Sequence, residues 1–226
     1  MKKRVGLIAA VLLLATVMLG MTLGAYQAGT TAQVGESTSK LGIRLIQKSG
    51  EDPGVERLYS GEGIMYTGMP GDLVDETLRA KNSGNKDLYV RITIKKSWLN
   101  KNGEKNLDAD CREIEVMTTD KENWIIQEGD EYGEVIYCYY RKPLKPQEET
   151  TSVMEQFSIL KGGLSTTGNE YRNLAVQMTF DADAIQRTAV EKAMLAEWGI
   201  IAEMDEENGN LLGVQEQGGE EVENEG

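Results

Sequence analysis

The sequence predicts a mainly β protein built as a two-sheet antiparallel sandwich. Short segments of alternating apolar and polar residues recur from residue 41 to residue 180, and clusters of Gly, Asn and Pro separate them. No helical crossover pattern lies between these segments, which argues against a parallel α/β sheet. About 200 residues follow an N-terminal apolar run, a length that fits one domain with a sizeable core.

The clearest strand is predicted at residues 88–98. One face carries only aliphatic side chains (Leu88, Val90, Ile92 and Ile94), and the other is more polar (Tyr89, Arg91, Thr93 and Lys95). This period of two predicts one dry face and one solvated face. Alternation also predicts further strands, at 41–45, 75–81, 113–118, 124–126, 134–140, 150–160 and 174–180. We therefore expect a sandwich domain over residues 41–202.

Helical spacing replaces strand spacing near the C-terminal end. Apolar residues from 183 to 198 recur at every third or fourth position, which predicts a short helix, and Gly199 is well placed to end it. Asp183 stands where an N-cap is expected. Residues 203–226 contain nine acidic residues and no basic one, so this acidic tail is expected to be disordered.

The first 25 residues have the layout of a secretory signal helix. Three basic residues at positions 2–4 precede an uncharged apolar run that ends in Gly24 and Ala25. Small side chains favour cleavage after Ala25, and Ala32 is a second candidate. An uncleaved membrane anchor is the alternative, because about 20 apolar residues can span a bilayer. Both interpretations place the rest of the chain outside the cytoplasm.

Residues 26–40 are small and polar, and they predict a flexible lead-in to the domain. The strand predicted after it contains Leu41, Ile43 and Leu45 on one face. A mobile segment that ends in such a strand can complete the open sheet of a neighbouring molecule. The alternative is that the strand pairs within its own domain.

The charge balance excludes several partners. The chain has 24 basic and 37 acidic residues, a net charge of −13, and removal of residues 1–25 takes away three basic residues and brings it to −16. A nucleic-acid partner is not expected, because binding needs a basic stripe that displaces counterions. Contact with a membrane is expected only through the N-terminal segment, if that segment stays uncleaved.

The chain has two cysteines, Cys111 and Cys138, both in the region expected to be exported. Oxidising surroundings permit a disulfide between them, which would stabilise the fold by about 3 to 4 kcal/mol. Two independent buried thiols are the alternative. The sequence leaves both open.

Catalytic and metal-binding chemistry finds little support. The chain has no histidine, which excludes Ser-His-Asp and Cys-His catalysis and zinc sites of the His-Glu-x-x-His kind. Among the acids, Asp181 and Asp183 form the most suggestive carboxylate pair, for hydrolysis or for calcium, although capping by Asp183 is the simpler role. We expect no catalytic residue, no metal site and no cofactor.

Aromatic residues suggest a further alternative, a surface that stacks on sugars. The candidates are Trp98, Trp124, Trp198, Tyr137, Tyr139 and Tyr140. In strands such residues more often pack in or beside the core. A carbohydrate- or host-ligand-binding module at the cell surface is therefore the second functional hypothesis.

Several segments, taken in order, resemble one family of exported proteins. They are Asn82-Ser83-Gly84-Asn85, Tyr89-Val90-Arg91-Ile92-Thr93-Ile94, Ser97-Trp98, Trp124, Tyr139-Tyr140-Arg141-Lys142-Pro143-Leu144-Lys145-Pro146, Phe180-Asp181-Ala182-Asp183-Ala184-Ile185-Gln186 and Trp198-Gly199. Together with the leader ending Gly24-Ala25-Tyr26, they resemble the TasA/camelysin-like group, in particular its biofilm-matrix branch. The chain departs from the group at Cys111, at Cys138 and at Gln147, where glycine is expected.

The resemblance implies a jelly-roll sandwich, processing by a SipW-type signal peptidase and, for some members, assembly into extracellular fibres. Some relatives are described as metalloproteases, an activity that the missing histidines argue against here. We therefore expect a secreted, non-enzymatic structural protein of the matrix or cell surface. Its expected partners are further copies of itself, other surface components and, during export, signal peptidase.

Overall fold

The computed structural model describes residues 42–50, 56–61, 63–68, 71–118, 120–159, 171 and 173–217. The predicted leader, the lead-in, Leu41 and residues 218–226 of the acidic tail lie outside these residues. The described chain forms twelve strands: β1 (Ile43–Ser49), β2 (Arg57–Leu58), β3 (Ile64–Tyr66), β4 (Leu73–Asn82), β5 (Leu88–Leu99), β6 (Ile114–Met117), β7 (Trp124–Glu128), β8 (Val135–Tyr140), β9 (Met154–Ile159), β10 (Ala175–Gln186), β11 (Ile200–Met204) and β12 (Leu211–Glu216).

Two five-stranded antiparallel sheets form the body. Sheet 1 has the order β2-β1-β4-β9-β6, sheet 2 has the order β3-β10-β5-β8-β7, and β11 and β12 form a separate hairpin. Buried aliphatic and aromatic side chains from both sheets form one large core. The predicted antiparallel β-sandwich is therefore confirmed.

Strand β5 is the central strand of sheet 2, and its inner face is apolar from Leu88 to Ile94. Leu88, Val90, Ile92 and Ile94 are fully buried, as their alternation predicts. The strand pairs with β10 over twelve residues, from Leu88 opposite Gln186 to Leu99 opposite Ala175. This register brings the two longest strands of sheet 2 together.

The predicted solvated face of β5 is wrong at one end. Tyr89 is 1% exposed, because a second apolar cluster covers the outer face of sheet 2. This outer cluster joins side chains of the sheet to side chains of the C-terminal segment, namely Tyr89, Tyr139, Ile185, Met194, Trp198, Ile200 and Leu211. A strand predicted to face water on one side is thus half covered by a later part of the chain.

The C-terminal helix is shorter than predicted. Residues 183–186 continue β10, because their backbone pairs with β5, and the α-helix α1 occupies only Val190–Ala193. One π-helical turn follows, Met194–Trp198, and buries Met194 and Trp198. Gly199 ends the helix with φ 68°, a conformation that suits glycine, which confirms its predicted role.

The predicted disorder from residue 203 is wrong as far as Gln217. Residues 200–216 form the β11–β12 hairpin, whose alternating Ile200, Ala202 and Met204 face the outer cluster. The Asp205 carboxylate accepts hydrogen bonds from the backbone N–H groups of Glu207 and Asn208 and so closes the turn. High acidity therefore marks a solvated hairpin surface here, and the domain extends beyond the predicted boundary at 202.

A tight turn follows β5 at the end of the sandwich. The Asn100 side chain accepts hydrogen bonds from the backbone N–H groups of Asn102 and Glu104, at 2.9 and 3.0 Å. Gly103 takes a positive φ of 78° with open space around it. This turn is one of the Asn- and Gly-rich clusters that the sequence analysis expects between strands.

Candidate assembly site

The predicted assembly strand is β1, and the structure pairs it within its own domain. All seven residues of β1 face residues of β4, from Ile43 opposite Asn82 to Ser49 opposite Glu76. Ile43 and Leu45 point into the core and are 4% and 7% exposed. Of the two alternatives left by the sequence, this arrangement is the internal one.

The described residues cover the opposite edge of β1 only in part. Strand β2 pairs with β1 at two positions, Ile46 with Leu58 and Gln47 with Arg57. One further backbone bond runs from Tyr59 N to Leu45 O, at 3.0 Å. β1 is therefore paired along its full length with the long strand β4 and at two described positions with the short strand β2.

Leu45 and Ala80 face each other as a pair without mutual backbone hydrogen bonds. The Leu45 carbonyl accepts from Tyr59 N on one side, and the Ala80 carbonyl accepts from Thr150 N on the other, at 2.8 Å. Since the backbone groups of both residues point outward, their Cβ atoms approach closely, as in any non-hydrogen-bonded pair.

Two glycines bring the start of β1 against the β4–β5 turn. A Cβ on Gly42 would lie 2.7 Å from the backbone nitrogen of Gly84, and Gly42 has φ 72°. Ser83 N donates to the Gly42 carbonyl at 2.7 Å. The Asn and Gly residues at 82–85 are typical of a turn, but the sequence does not show that Gly42 packs against it.

Asn82 fixes this turn from inside. It is fully buried, its amide nitrogen donates to the carbonyls of Lys86 and Leu144 at 2.7 and 2.9 Å, and its amide oxygen accepts from Gly84 N. A buried amide with its groups satisfied holds one unique geometry. The end of β4 that receives β1 is thus preorganised.

Like charges meet on the outer face of sheet 1. Arg44 on β1 lies directly opposite Lys81 on β4. The Glu149 carboxylate contacts Arg79 at 2.8 Å and Lys81 at 3.1 Å. These contacts lower the pKa of Glu149, and the hydrogen bond from Lys81 has the largest effect. Glu56 bonds Arg79 at 2.7 Å and is the main cause of the raised pKa of Arg79.

The suggested carboxylate pair is engaged in ion pairs. Asp181 contacts Lys95 at 2.8 Å, which raises the pKa of that lysine, and Asp183 contacts Arg91 at 2.9 Å. Both acids lie on the outer face of β10. Asp183 is inside a strand, so its predicted role as a helix N-cap is wrong.

Of the two alternatives that the sequence left open for the cysteines, the structure has two buried thiols and no disulfide. Cys111 and Cys138 are free and buried, Cys111 in a 3₁₀ turn before β6 of sheet 1 and Cys138 in β8 of sheet 2. The Cys111 thiol points toward the carbonyl of Lys96 at 3.6 Å. Burial raises the pKa of both thiols, so neither is an activated nucleophile.

The aromatic residues do not form an exposed strip. Trp98, Trp124, Tyr139 and Tyr140 are at most 7% exposed, and Trp198 is 9% exposed. They pack edge to face or tilted against one another, for example Trp124 on Tyr140 at 5.0 Å. The sugar-stacking hypothesis therefore loses the surface that motivated it.

Sequence reasoning missed Arg91 as an anchor of the C-terminal segment. Its guanidinium lies 5.1 Å from the ring centre of Tyr137 and 5.2 Å from that of Trp198. A cation between two aromatic faces, with Asp183 as its ion-pair partner, ties β5 to the π-helical turn. The alternation of Arg91 with apolar residues in the sequence predicted only a solvated side chain.

Among the described residues, no group of three or more Cys, Asp or Glu side chains is arranged to hold a metal ion. No helix within the described ranges is both long and apolar enough to cross a bilayer.

No protein-family model matches the chain, and no curated protein or solved structure matches it either. The resemblance to the TasA/camelysin-like group therefore stays a prediction.

Proposed function

We propose that this chain is an exported, non-enzymatic structural protein of the extracellular matrix or cell surface, and that its copies assemble by exchanging β1. The observation that carries the proposal is the pairing of β1: seven residues pair with β4 and, among the described residues, two pair with β2. A terminal strand held along one side can leave its own sheet and form identical pairs in a neighbour.

The side chains of this strand suit such an exchange. Ile43 and Leu45 supply its buried contacts, and the preorganised turn at Asn82 and Gly84 supplies the receiving site. Because the exchanged strand makes the same contacts in the neighbouring copy, the enthalpy lost on leaving is regained. The chain that follows Ser49 is the proposed connection between copies, because it joins the exchanged β1 to the rest of its own molecule.

A non-enzymatic role is supported by how the candidate reactive groups are used. Asp181 and Asp183 are neutralised by cations, and both thiols are buried with a raised pKa. The sequence has no histidine. These four side chains are therefore engaged in packing or in ion pairs, which supports a structural role.

The strand order supports a sandwich of the jelly-roll type. In sheet 1 the late strand β9 lies between β4 and β6, and in sheet 2 the early strand β5 lies between β10 and β8. Neighbours that are far apart in the sequence are typical of Greek-key connections.

Secretion through a cleaved leader, and processing by a SipW-type peptidase, are part of this proposal.

A reversible lock on β1 tests the exchange. The variant Leu45→Cys with Ala80→Cys places two thiols at the closest cross-strand position, where a disulfide ties β1 to its own β4. We expect the oxidised variant to form no exchanged filaments by electron microscopy, and reduction to restore them. The single variant Leu45→Cys is the control for lost packing.

Filaments that persist unchanged in the oxidised double variant at high salt, where contacts between charged surfaces are screened, would rule out strand exchange. Secretion of the native chain and its location in the matrix are measured separately, by fractionating the culture of its host. A protein found only in the cytoplasm would remove the structural role itself.

A further inference from the structure

We propose a second contact between copies, in which an acidic cap on one molecule docks onto a basic face on the next. It extends the proposed function, because it also concerns self-assembly, but it uses outward-facing side chains, whereas strand exchange uses the backbone pairing and the inward-facing side chains of β1. The basic face is the outer surface of β1, β2 and β4 (Arg44, Ile46, Lys48, Leu58, Arg79 and Lys81). The acidic cap is the exposed surface of residues 190–217 (Leu195, Glu197, Ile201, Glu203, Glu206 and Leu212).

The basic face carries positive charge that its own sheet does not neutralise. Like charges directly opposite on neighbouring strands are destabilising, and Arg44 faces Lys81 in this way. Within the described chain, Arg44 and Lys48 make no ion pair, whereas Arg79 pairs with Glu56 and shares Glu149 with Lys81. An acidic partner would relieve this repulsion.

Apolar side chains lie among these cations. Leu58 on β2 is 57% exposed and lies beside Ile46, its partner in the register with β1. Both side chains point away from the core, since Leu45 next to Ile46 points into it. An apolar centre with a charged rim is the usual composition of a protein–protein contact.

The acidic cap has the complementary composition. Ile201, Leu212 and Leu195 are 54%, 49% and 38% exposed, on a hairpin whose other face packs on the outer cluster. Residues 188–217 contain one lysine and seven acids, which are Glu191, Glu197, Glu203, Asp205, Glu206, Glu207 and Glu216. Glu197, Glu203 and Glu206 are exposed and make no ion pair within the described ranges.

The two surfaces lie on opposite sides of the sandwich. The basic face is the outer surface of sheet 1, and the acidic cap covers the outer surface of sheet 2. A contact between two different surfaces is heterologous, so each copy that docks presents a new free surface and the assembly stays open. Opposite charges fix the partner and speed its association. A second copy of the chain therefore fits the basic face.

Charge reversal tests this contact. The variant Arg44→Glu with Lys48→Glu makes both surfaces acidic, and the variant Glu197→Lys with Glu203→Lys makes both basic. All four side chains lie outside the core, so we expect each variant to fold. Thermal unfolding checks this. Each variant is studied in the oxidised Leu45→Cys/Ala80→Cys background, where β1 cannot exchange, by light scattering and sedimentation at low salt.

We expect each reversal alone to weaken association about 100-fold or more, because like charges placed in contact cost several factors of ten in affinity. Mixing the two variants should restore association, since every contact is again between opposite charges. The matched control Lys101→Glu with Lys121→Glu makes the same change in net charge at exposed sites elsewhere and should leave association unchanged. High salt should weaken the wild-type contact.

Three outcomes overturn the proposal. One is a locked protein that stays monomeric at low salt, and another is a mixture that fails to associate. The third is a basic-face variant that associates normally but loses binding to a soluble anionic polysaccharide, which would assign this face to polymer binding. Loss of filaments on locking β1, with no effect of charge reversal, would leave strand exchange standing and remove this contact alone.

Discussion

At the scale of single residues, Lys96 is the side chain that interrupts the apolar inner face of β5. It is 6% exposed, and its Nζ donates to the carbonyl of Ile114 at 2.7 Å, which links sheet 2 to the first residue of β6. Burial lowers the pKa of this lysine. A buried amine is tolerated here because it satisfies a backbone carbonyl between the sheets.

The lowered pKa gives a pH-dependent prediction. The unfolded state binds the Lys96 proton more tightly than the folded state does. The contribution of Lys96 to stability is therefore fully present above the ordinary lysine pKa of 10.5, and it is lost as the pH falls through the lowered pKa of the folded state. The free energy of unfolding of wild type should therefore rise relative to that of Lys96→Met as pH increases from 7 toward 10.5. Urea unfolding across this range measures the difference.

Lys95 provides the matched control. Its pKa is raised, mainly by the hydrogen bond to Asp181, so its contribution is constant below 10.5. The difference between wild type and Lys95→Met should stay flat over the same range. A flat difference for Lys96→Met as well would show that Lys96 remains solvated.

Gln147 links the resemblance to the backbone. The sequence has glutamine where the TasA/camelysin-like pattern has glycine, and Gln147 has φ 68°, the left-handed region that glycine adopts without strain. The backbone conformation at position 147 therefore favours glycine, independently of any family resemblance. This agreement concerns one turn and leaves the family membership a prediction.

At the scale of elements, the C-terminal hairpin is held mainly by apolar contacts. Ile200 and Leu211 are 2% and 1% exposed, and Arg141 donates to the carbonyls of Leu211 and Leu212 at 3.1 and 2.7 Å. The Tyr89 hydroxyl donates to the Gly209 carbonyl at 2.6 Å. The hairpin is therefore a folded layer of the domain.

Ending the chain after Gly199 should uncover Tyr89 and destabilise the protein by about 4 kcal/mol, since each fully buried Leu or Ile contributes roughly 1.5–3 kcal/mol. Binding of a hydrophobic dye and a lower urea midpoint would report both effects. A chain ended after Gln217 is the control and should unfold like the full chain. Equal midpoints for the two truncations would show that the hairpin adds no stability.

Most long strands could be predicted because each carries its own alternation, as β4, β5 and β9 do. Strands β2 and β3 were missed, because two or three residues are too short to show a period. The burial of Tyr89 could not be predicted, since what covers a strand face depends on residues more than a hundred positions later. For the assembly site, the pattern identified β1 but not its partner strand β4.

The prediction for the C-terminal hairpin gave charge too much weight and alternation too little. Ile200, Ala202 and Met204 alternate in the sequence, but the surrounding acids suggested disorder. Acidic residues on the exposed face of a hairpin and acidic residues in a disordered tail have the same composition. Alternation should therefore take precedence over charge when both are present.

At the scale of the whole molecule, the sandwich has two chemically different outer surfaces. Sheet 1 exposes cations around Leu58, and the C-terminal hairpin exposes acids around Ile201. The net charge of −13 conceals this asymmetry. Solubility follows from the total charge, whereas specific association depends on where each sign lies.

Intact mass of the protein secreted by its native host tests the proposed processing. We expect a chain that begins at Tyr26, because small residues precede the bond after Ala25. Alkylation under denaturing, non-reducing conditions should add two groups, since Cys111 and Cys138 are free. A mass that retains residues 1–25 would favour the membrane anchor, and a chain that resists alkylation would contradict the free thiols.

The turn between Asn100 and Glu104 has a practical consequence for imaging. It lies at the far end of β5 from Leu88, whereas Gly42 and the tip of the hairpin at Gly209 both contact residues near Leu88. A fluorophore attached to a cysteine in place of Lys101 would therefore sit away from the start of the N-terminal strand and from the hairpin tip. Labelled molecules could then be followed one by one as they join a growing polymer, without the probe itself blocking either connection.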